Sequence, residues 1–167
     1  MAISINEYLN KDLIINNLEA ETTYDVFHSL SKILLKYNFV KDSFYTALVK
    51  RESKFPTGLT LGKYNVAIPH TDAIHIIRPA IAIATLKYPV VFNNMDGDGQ
   101  VNVNIVFAMA LNEPHSQIKM LQQLMYLIQN KDILMSMKDA KDNEQLYDIV
   151  SKFEYNPVKN NLKEIIK

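Results

Sequence analysis

Four histidines carry most of the chemistry this sequence offers. His70 stands out because the apolar run Val66-Ala67-Ile68 delivers it straight to a strand end, and ligands of open α/β sheets bind at such edges. Pro69 has no N–H and a fixed φ, so it stiffens the turn that presents the imidazole. Arg51 falls at the end of an expected helix, Pro56-Thr57-Gly58 forms a turn, and His115 falls at the start of a long helix, where unpaired N–H groups favour anions. Only two of the 18 cationic residues are arginine, whose planar fork suits phosphate oxygens in a way that lysine does not. Together these residues describe an imidazole beside an anion site. Singly, each has a plainer reading: a histidine in a turn, a solvated arginine at a helix end, a histidine in a cap.

Sharper-looking motifs fail on spacing. Gly58-x-x-x-Gly62-Lys63-Tyr64 is one residue short of a P-loop and has Tyr where the Mg²⁺-binding hydroxyl belongs. Asp96-Gly97-Asp98-Gly99 opens like a calcium loop, yet its twelfth position is Phe107, which cannot ligate, so it reads as a turn. His70, Asp72 and His75 form a conceivable metal set, but with no established ligand spacing and no clear fourth ligand. The absence of cysteine removes thiol nucleophiles, Cys-based zinc sites and disulfide frameworks, and it fits a reducing cytoplasm. His28 lies beside the apolar stripe of a helix and reads as structural.

The elements that must position these residues follow from hydrophobic period. Leu13 to Leu18 reads as a strand, and Thr22-Thr23-Tyr24-Asp25 opens a helix over about 23–37 with a hydroxyl at its cap and an acid in its first turn. A second helix begins near Asp42, with Phe44, Ala47, Leu48 and Arg51 on successive turns, and Pro56 and Gly58 close it. Val66 to Ile68, Ala80 to Leu86 and Val101 to Ala110 are strands, and Val90 to Phe92 is a candidate for another. After Pro114 the period turns helical, with Ile118, Leu121, Leu124, Met125 and Ile128 on one face. Shorter helices are expected near 131–138 and 143–153. This interleaving is the signature of an α/β layer.

Length and charge set the remaining bounds. A chain of 167 residues with 48% hydrophobic residues fits one domain with a sizeable core. Balanced charge, 18 cationic against 18 acidic residues, disfavours a nucleic-acid partner. The longest apolar run, Ile105 to Leu111, is only seven residues, too short to span a bilayer, and MAISINEYLN does not read as a secretory signal. Residues 156–167 have the polar look of a loosely held tail after a domain over 1–155.

Arg51-Glu52, Phe55-Pro56-Thr57-Gly58, Val66-Ala67-Ile68-Pro69-His70 and Asn112-Glu113-Pro114-His115, in this order, resemble the enzyme IIA component of the bacterial sugar phosphotransferase system, fructose–mannitol class. The resemblance covers about residues 5–153, and Ala67-Ile68-Pro69-His70-x-x-Ala73-Ile74-His75 looks most similar to galactitol-type IIA proteins. It implies a single α/β domain with a central mixed sheet flanked by helices. It also implies a cytoplasmic phosphocarrier in which His70 takes a phosphoryl group from the carrier HPr and passes it to a IIB component, for uptake of galactitol or a related sugar through the membrane component IIC. Arg51 and His115 would donate to the phosphoryl oxygens, and no nucleotide, metal or other cofactor is needed. Two alternatives stay open: a IIA-like module that reports phosphorylation state to another protein, and a metal-dependent hydrolase built on His70, Asp72 and His75.

Overall fold

The computed structural model describes residues 4–155, so the expected tail at 156–167 lies outside the described residues. Five strands form one mixed sheet: β1 (Ile14–Leu18), β2 (Gly58–Leu59), β3 (Val66–Ala67), β4 (Ala80–Asn93) and β5 (Gln100–Ala110), in the order β1-β4-β5-β3-β2. β1 runs parallel to β4, β4 antiparallel to β5, β5 parallel to β3, and β3 antiparallel to β2. Helices α1 (Thr23–Lys36) and α2 (Phe44–Lys54) cover one face; α3 (Pro114–Ile128), α4 (Lys131–Asp139) and α5 (Asn143–Ser151) cover the other.

The alternation of β4 explains how both faces are buried. Ala80, Ala82, Ala84 and Leu86 face α1 and α2, while Ile81 and Ile83 face the other helix layer. Side chains of successive strand residues point to opposite faces, so small residues on one side leave room for Phe27 and Phe44, both about 1% exposed. Burying a side chain of that kind stabilises the fold by roughly 1.5–3 kcal/mol. The expected cap hydroxyl and first-turn acid open α1 as a capping box: the Thr22 hydroxyl accepts from the Asp25 N–H, and the Asp25 carboxylate accepts from the Thr22 N–H.

Four expectations are corrected. Val90 to Phe92 is not a separate strand. It continues β4 beyond a register shift between Thr85 and Val90, a bulge where Pro89 has no ladder bond to lose. Gly58 belongs to β2 as well as closing the turn, and only glycine fits there: a Cβ would meet Val101 Cγ1 at 2.5 Å and the Asn93 carbonyl at 2.6 Å. α2 starts at Phe44 rather than Asp42. Finally, the buried face of α3 is Ser116, Met120, Gln123, Leu124, Leu127 and Ile128, while Ile118 is 61% exposed and Leu121 36%. The face is rotated because Gln123 turns inward and accepts from the Ile5 N–H at 3.0 Å.

Candidate functional site

β3 carries the chain to His70 along β5. The ladder Val66–Ile105 and Ala67–Val106 continues as a parallel bridge between His70 and Met109, and the Met109 N–H donates to the Pro69 carbonyl at 3.0 Å. The half-buried imidazole is then fixed by its own backbone, since Nδ1 lies 2.9 Å from the Ile68 carbonyl oxygen. A carbonyl only accepts, so Nδ1 carries the proton and Nε2 keeps its lone pair. Burial holds the His70 pKa below the usual imidazole range and the nearby Arg51 charge lowers it further; the Ile68 bond and Asp72 oppose them.

The sign of that shift gives a testable outcome. Neutral imidazole persists above the depressed folded pKa and is lost as pH falls through it, so any reactivity that needs the lone pair declines at a lower pH than it would for an ordinary imidazole. An NMR titration of His70 should give a pKa below the ordinary 6.5; a value at or above that would remove the burial argument. By linkage, the unfolded chain binds this proton first, so His70 subtracts stability as pH drops below its unfolded value.

Helix α2 supplies Arg51. One guanidinium nitrogen lies 3.2 Å from Asp72 Oδ1, the group sits 5.2 Å above the Phe55 ring, and Nε is buried with no hydrogen-bond partner among the described residues. The other arginine is spent on structure: Arg78 donates to the Tyr37 carbonyl at 2.7 Å and stacks on Phe39 at 4.0 Å. A cleft of about 330 Å³ opens beside Arg51, lined from α2 also by Lys50 and Lys54 and from the far side by Thr71, Asp72 and His75. Lys50, Arg51 and Lys54 against the single carboxylate of Asp72 make the lining of this cleft cationic.

His115 follows the end of β5, the strand whose Met109 is bridged to His70. β5 ends at Ala110, α3 begins at Pro114, and Gln117 Nε2 ties the helix start back to the Leu111 carbonyl at 2.9 Å. No hydrogen bond between the two imidazoles is formed among the described residues, and His115 is exposed. The expected role of the α3 N-terminus is corrected. Its N–H groups are already satisfied by Glu113, whose carboxylate accepts from the His115 and Ser116 N–H groups at 3.0 Å and from Ser116 Oγ at 2.6 Å. The Ser116 bond is the main reason the Glu113 carboxyl stays below the usual carboxylate range. An anion there would have to displace a capping carboxylate.

His70, Asp72 and His75 do not converge. Each faces a different partner: Ile68 for His70, Arg51 for Asp72, and Ser43 Oγ, 2.8 Å from Nδ1, for His75. Among the described residues no group of three His, Asp or Glu side chains has metal-binding geometry. At the cap position of α2 the Ser43 hydroxyl is turned to His75 instead of the helix N–H groups.

One feature of the site carries no sequence expectation. Glu52, next to Arg51, takes the Thr57 N–H on Oε1 at 2.9 Å and the Thr57 hydroxyl at 2.9–3.1 Å across both oxygens. Burial pushes its carboxyl above the usual range against the lowering effect of those bonds. The available signal was an acid beside the arginine, five residues before the threonine of a Pro-Thr-Gly turn.

Comparison with known proteins identifies the family and the fold. Residues 7–153 match the family model of the phosphoenolpyruvate-dependent sugar phosphotransferase system, EIIA 2. The galactitol-specific EIIA component of Escherichia coli K12 is 34% identical over 110 residues, 66% of this chain and 73% of that protein. The solution structure of the E. coli mannitol-specific cryptic enzyme IIA CmtB superposes with a TM-score of 0.72 at 18% identity, covering 90% of this chain and 100% of that one. E. coli IIAMtl in its complex with phosphorylated IIBMtl superposes with a TM-score of 0.70 at 16% identity, covering 86% and 97%. With a family match along nearly its whole length, and a fold and curated relative of the same kind, this chain belongs to the EIIA 2 family of the phosphotransferase system and is a phosphohistidine carrier.

Proposed function

We propose that His70 is the phosphoryl-carrying residue, charged by phospho-HPr and discharged to a IIB component in the cytoplasm during uptake of galactitol or a related sugar. The observation that carries this reading is the fixed imidazole, with Nδ1–H on the Ile68 carbonyl and Nε2 unprotonated, close enough to Arg51 to feel its charge. The Nε2 lone pair forms a bond to phosphorus, the P–N bond to the donor imidazole breaks, and its electron pair returns to the donor ring. His70 keeps its Nδ1 proton, so the phosphorylated ring is cationic. The Ile68 carbonyl stabilises that charge, and the cation is a ready leaving group for the next transfer. Charge on the peripheral oxygens calls for positioned donors, a role that suits Arg51.

The exposed apolar side chains near these residues support a protein as donor and acceptor. Phe55 follows Arg51 at the end of α2, Ile74 follows His70 by four residues, and Ile118 lies one turn past His115; they are 61%, 70% and 61% exposed. Apolar groups left in water around a polar centre fit a surface that docks another protein. The galactitol-specific relative supports the sugar class, and the mannitol IIA structure solved with its phosphorylated IIB supports the acceptor.

The test uses phospho-HPr purified away from enzyme I. One acid-labile phosphate per chain should appear, with or without EDTA, and an added galactitol-class IIB should remove it. Absence of any labelled chain would overturn the carrier assignment. A label that forms but that no sugar IIB accepts would favour the sensor alternative, and loss of label on chelation the metal alternative.

His115 is assigned a donor role in onward transfer rather than a carrier role. His115→Ala should slow discharge to IIB by about 10- to 100-fold, the worth of one charge-assisted hydrogen bond at roughly 1.5–3 kcal/mol, while His70 still accepts phosphate. Normal single-turnover kinetics in both half-reactions would leave His115 as an exposed residue behind the Glu113 cap.

A further inference from the structure

Resting on the carrier reading of His70, we propose that Glu52 is a positioning residue that acts through Thr57 and Ile68 to hold the His70 ring with Nδ1 bonded and Nε2 free. The connection is continuous. Both carboxylate oxygens of Glu52 are occupied by Thr57, which is only 2% exposed. The Thr57 carbonyl accepts the Ile68 N–H at 3.3 Å, and the Ile68 carbonyl accepts the His70 Nδ1–H at 2.9 Å.

Each link is needed because the local ladder is weak. β2 and β3 are two residues each and pair only through Gly58–Ala67 and Leu59–Val66, far shorter than the five or six residues of an ordinary strand. The Thr57–Ile68 bond adds one rung at the end of that ladder, next to the reacting residue. Pro69 gives the following peptide no N–H, so no donor on its own peptide group helps hold the Ile68 carbonyl in place. β5 holds the other edge of this segment through the Met109 N–H on the Pro69 carbonyl; on the edge away from β5 the anchor is Thr57, and Glu52 ties that side to the same helix that carries Arg51. One rigid element then sets the distance between the nucleophile and the guanidinium. A half-buried carboxylate with both oxygens turned inward to Thr57 is a costly way to fill space, since well-packed apolar groups commonly serve stability as well or better. Its use here fits orientation.

The experiment pairs Glu52→Leu, which removes both acceptors, with Glu52→Gln, which keeps the shape and an acceptor for Thr57. ¹⁵N-edited NMR of His70 reads the tautomer in unphosphorylated protein, and single-turnover labelling by phospho-HPr reads the rate. Glu52→Leu should turn a single Nδ1–H tautomer into a mixture and slow phosphate acceptance about tenfold, the scale of a small misplacement of reacting atoms. Glu52→Gln should restore both. Unchanged ¹⁵N shifts and rate in a folded Glu52→Leu protein would overturn the proposal. If that variant does not fold, Glu52→Met removes the same acceptors on an unbranched chain of similar length, and an unaltered tautomer and rate in it are equally fatal. The two readings separate cleanly: a tautomer that responds to Glu52 in a chain that takes no phosphate on His70 would keep the positioning role and remove the carrier role.

Discussion

His70→Ala should take up no phosphate above background from phospho-HPr, the largest effect expected from any single change in this chain. The nucleophile is Nε2 of an imidazole whose other nitrogen is committed to Ile68, and no neighbour is equally prepared. The His75 ring is engaged by Ser43, His28 packs edge-on against Tyr45, and His115 is an exposed residue of the first turn of α3. The variant should fold, because His70 lies at the rim of the sheet and the extensive β4–β5 pairing that anchors the core is untouched. Losing its bond leaves the Ile68 carbonyl short of one partner, at a cost of about 1 kcal/mol. Circular dichroism and a thermal melt check the fold; acid-labile labelling checks the chemistry. Labelling that persists in a folded His70→Ala protein would move the carrier role to another histidine.

What the sequence made legible was local. The Thr22–Asp25 capping box, the strand before His70 and the alternation of β5 are each set by residues within a few positions, and each stands where the periodicity puts it. Contacts distant in sequence were not legible. Gly58 looks like a turn glycine until Val101 and Asn93 close on it, and Pro89 looks like a strand boundary until β5 pairs on both sides of the bulge. Ile118 and Leu121 count as core by hydropathy, yet the inward face of α3 admits Gln123 and leaves them in water. At the site, the motif singled out His70 and Arg51, and the structure sets the Arg51 charge near enough to His70 to act on it. The use of Glu113 as a cap and of Glu52 as a clamp depends on which way each carboxylate turns, and residue type alone does not carry that information.

Arg51→Lys should slow phosphate transfer by about 10²- to 10³-fold although the charge is kept, the typical cost of removing one transition-state donor. Arg51 has more than charge to offer. Its pairing with Asp72 uses one terminal nitrogen, the Asp72 carboxylate is 79% exposed, and the buried Nε–H has no partner. An ion pair that exposed is worth only about 0–1 kcal/mol, so the guanidinium can exchange Asp72 for phosphoryl oxygens at little cost. Lysine presents one point charge on a flexible stem and lacks the fork, so it restores the field at His70 without the geometry. Asp72→Asn is the control: it should change transfer less than about tenfold, because it removes only the resting partner. Full activity in a folded Arg51→Lys protein would reduce Arg51 to a general cation, and a large loss in Asp72→Asn would show that the resting ion pair, rather than the unpaired Nε–H, organises the site.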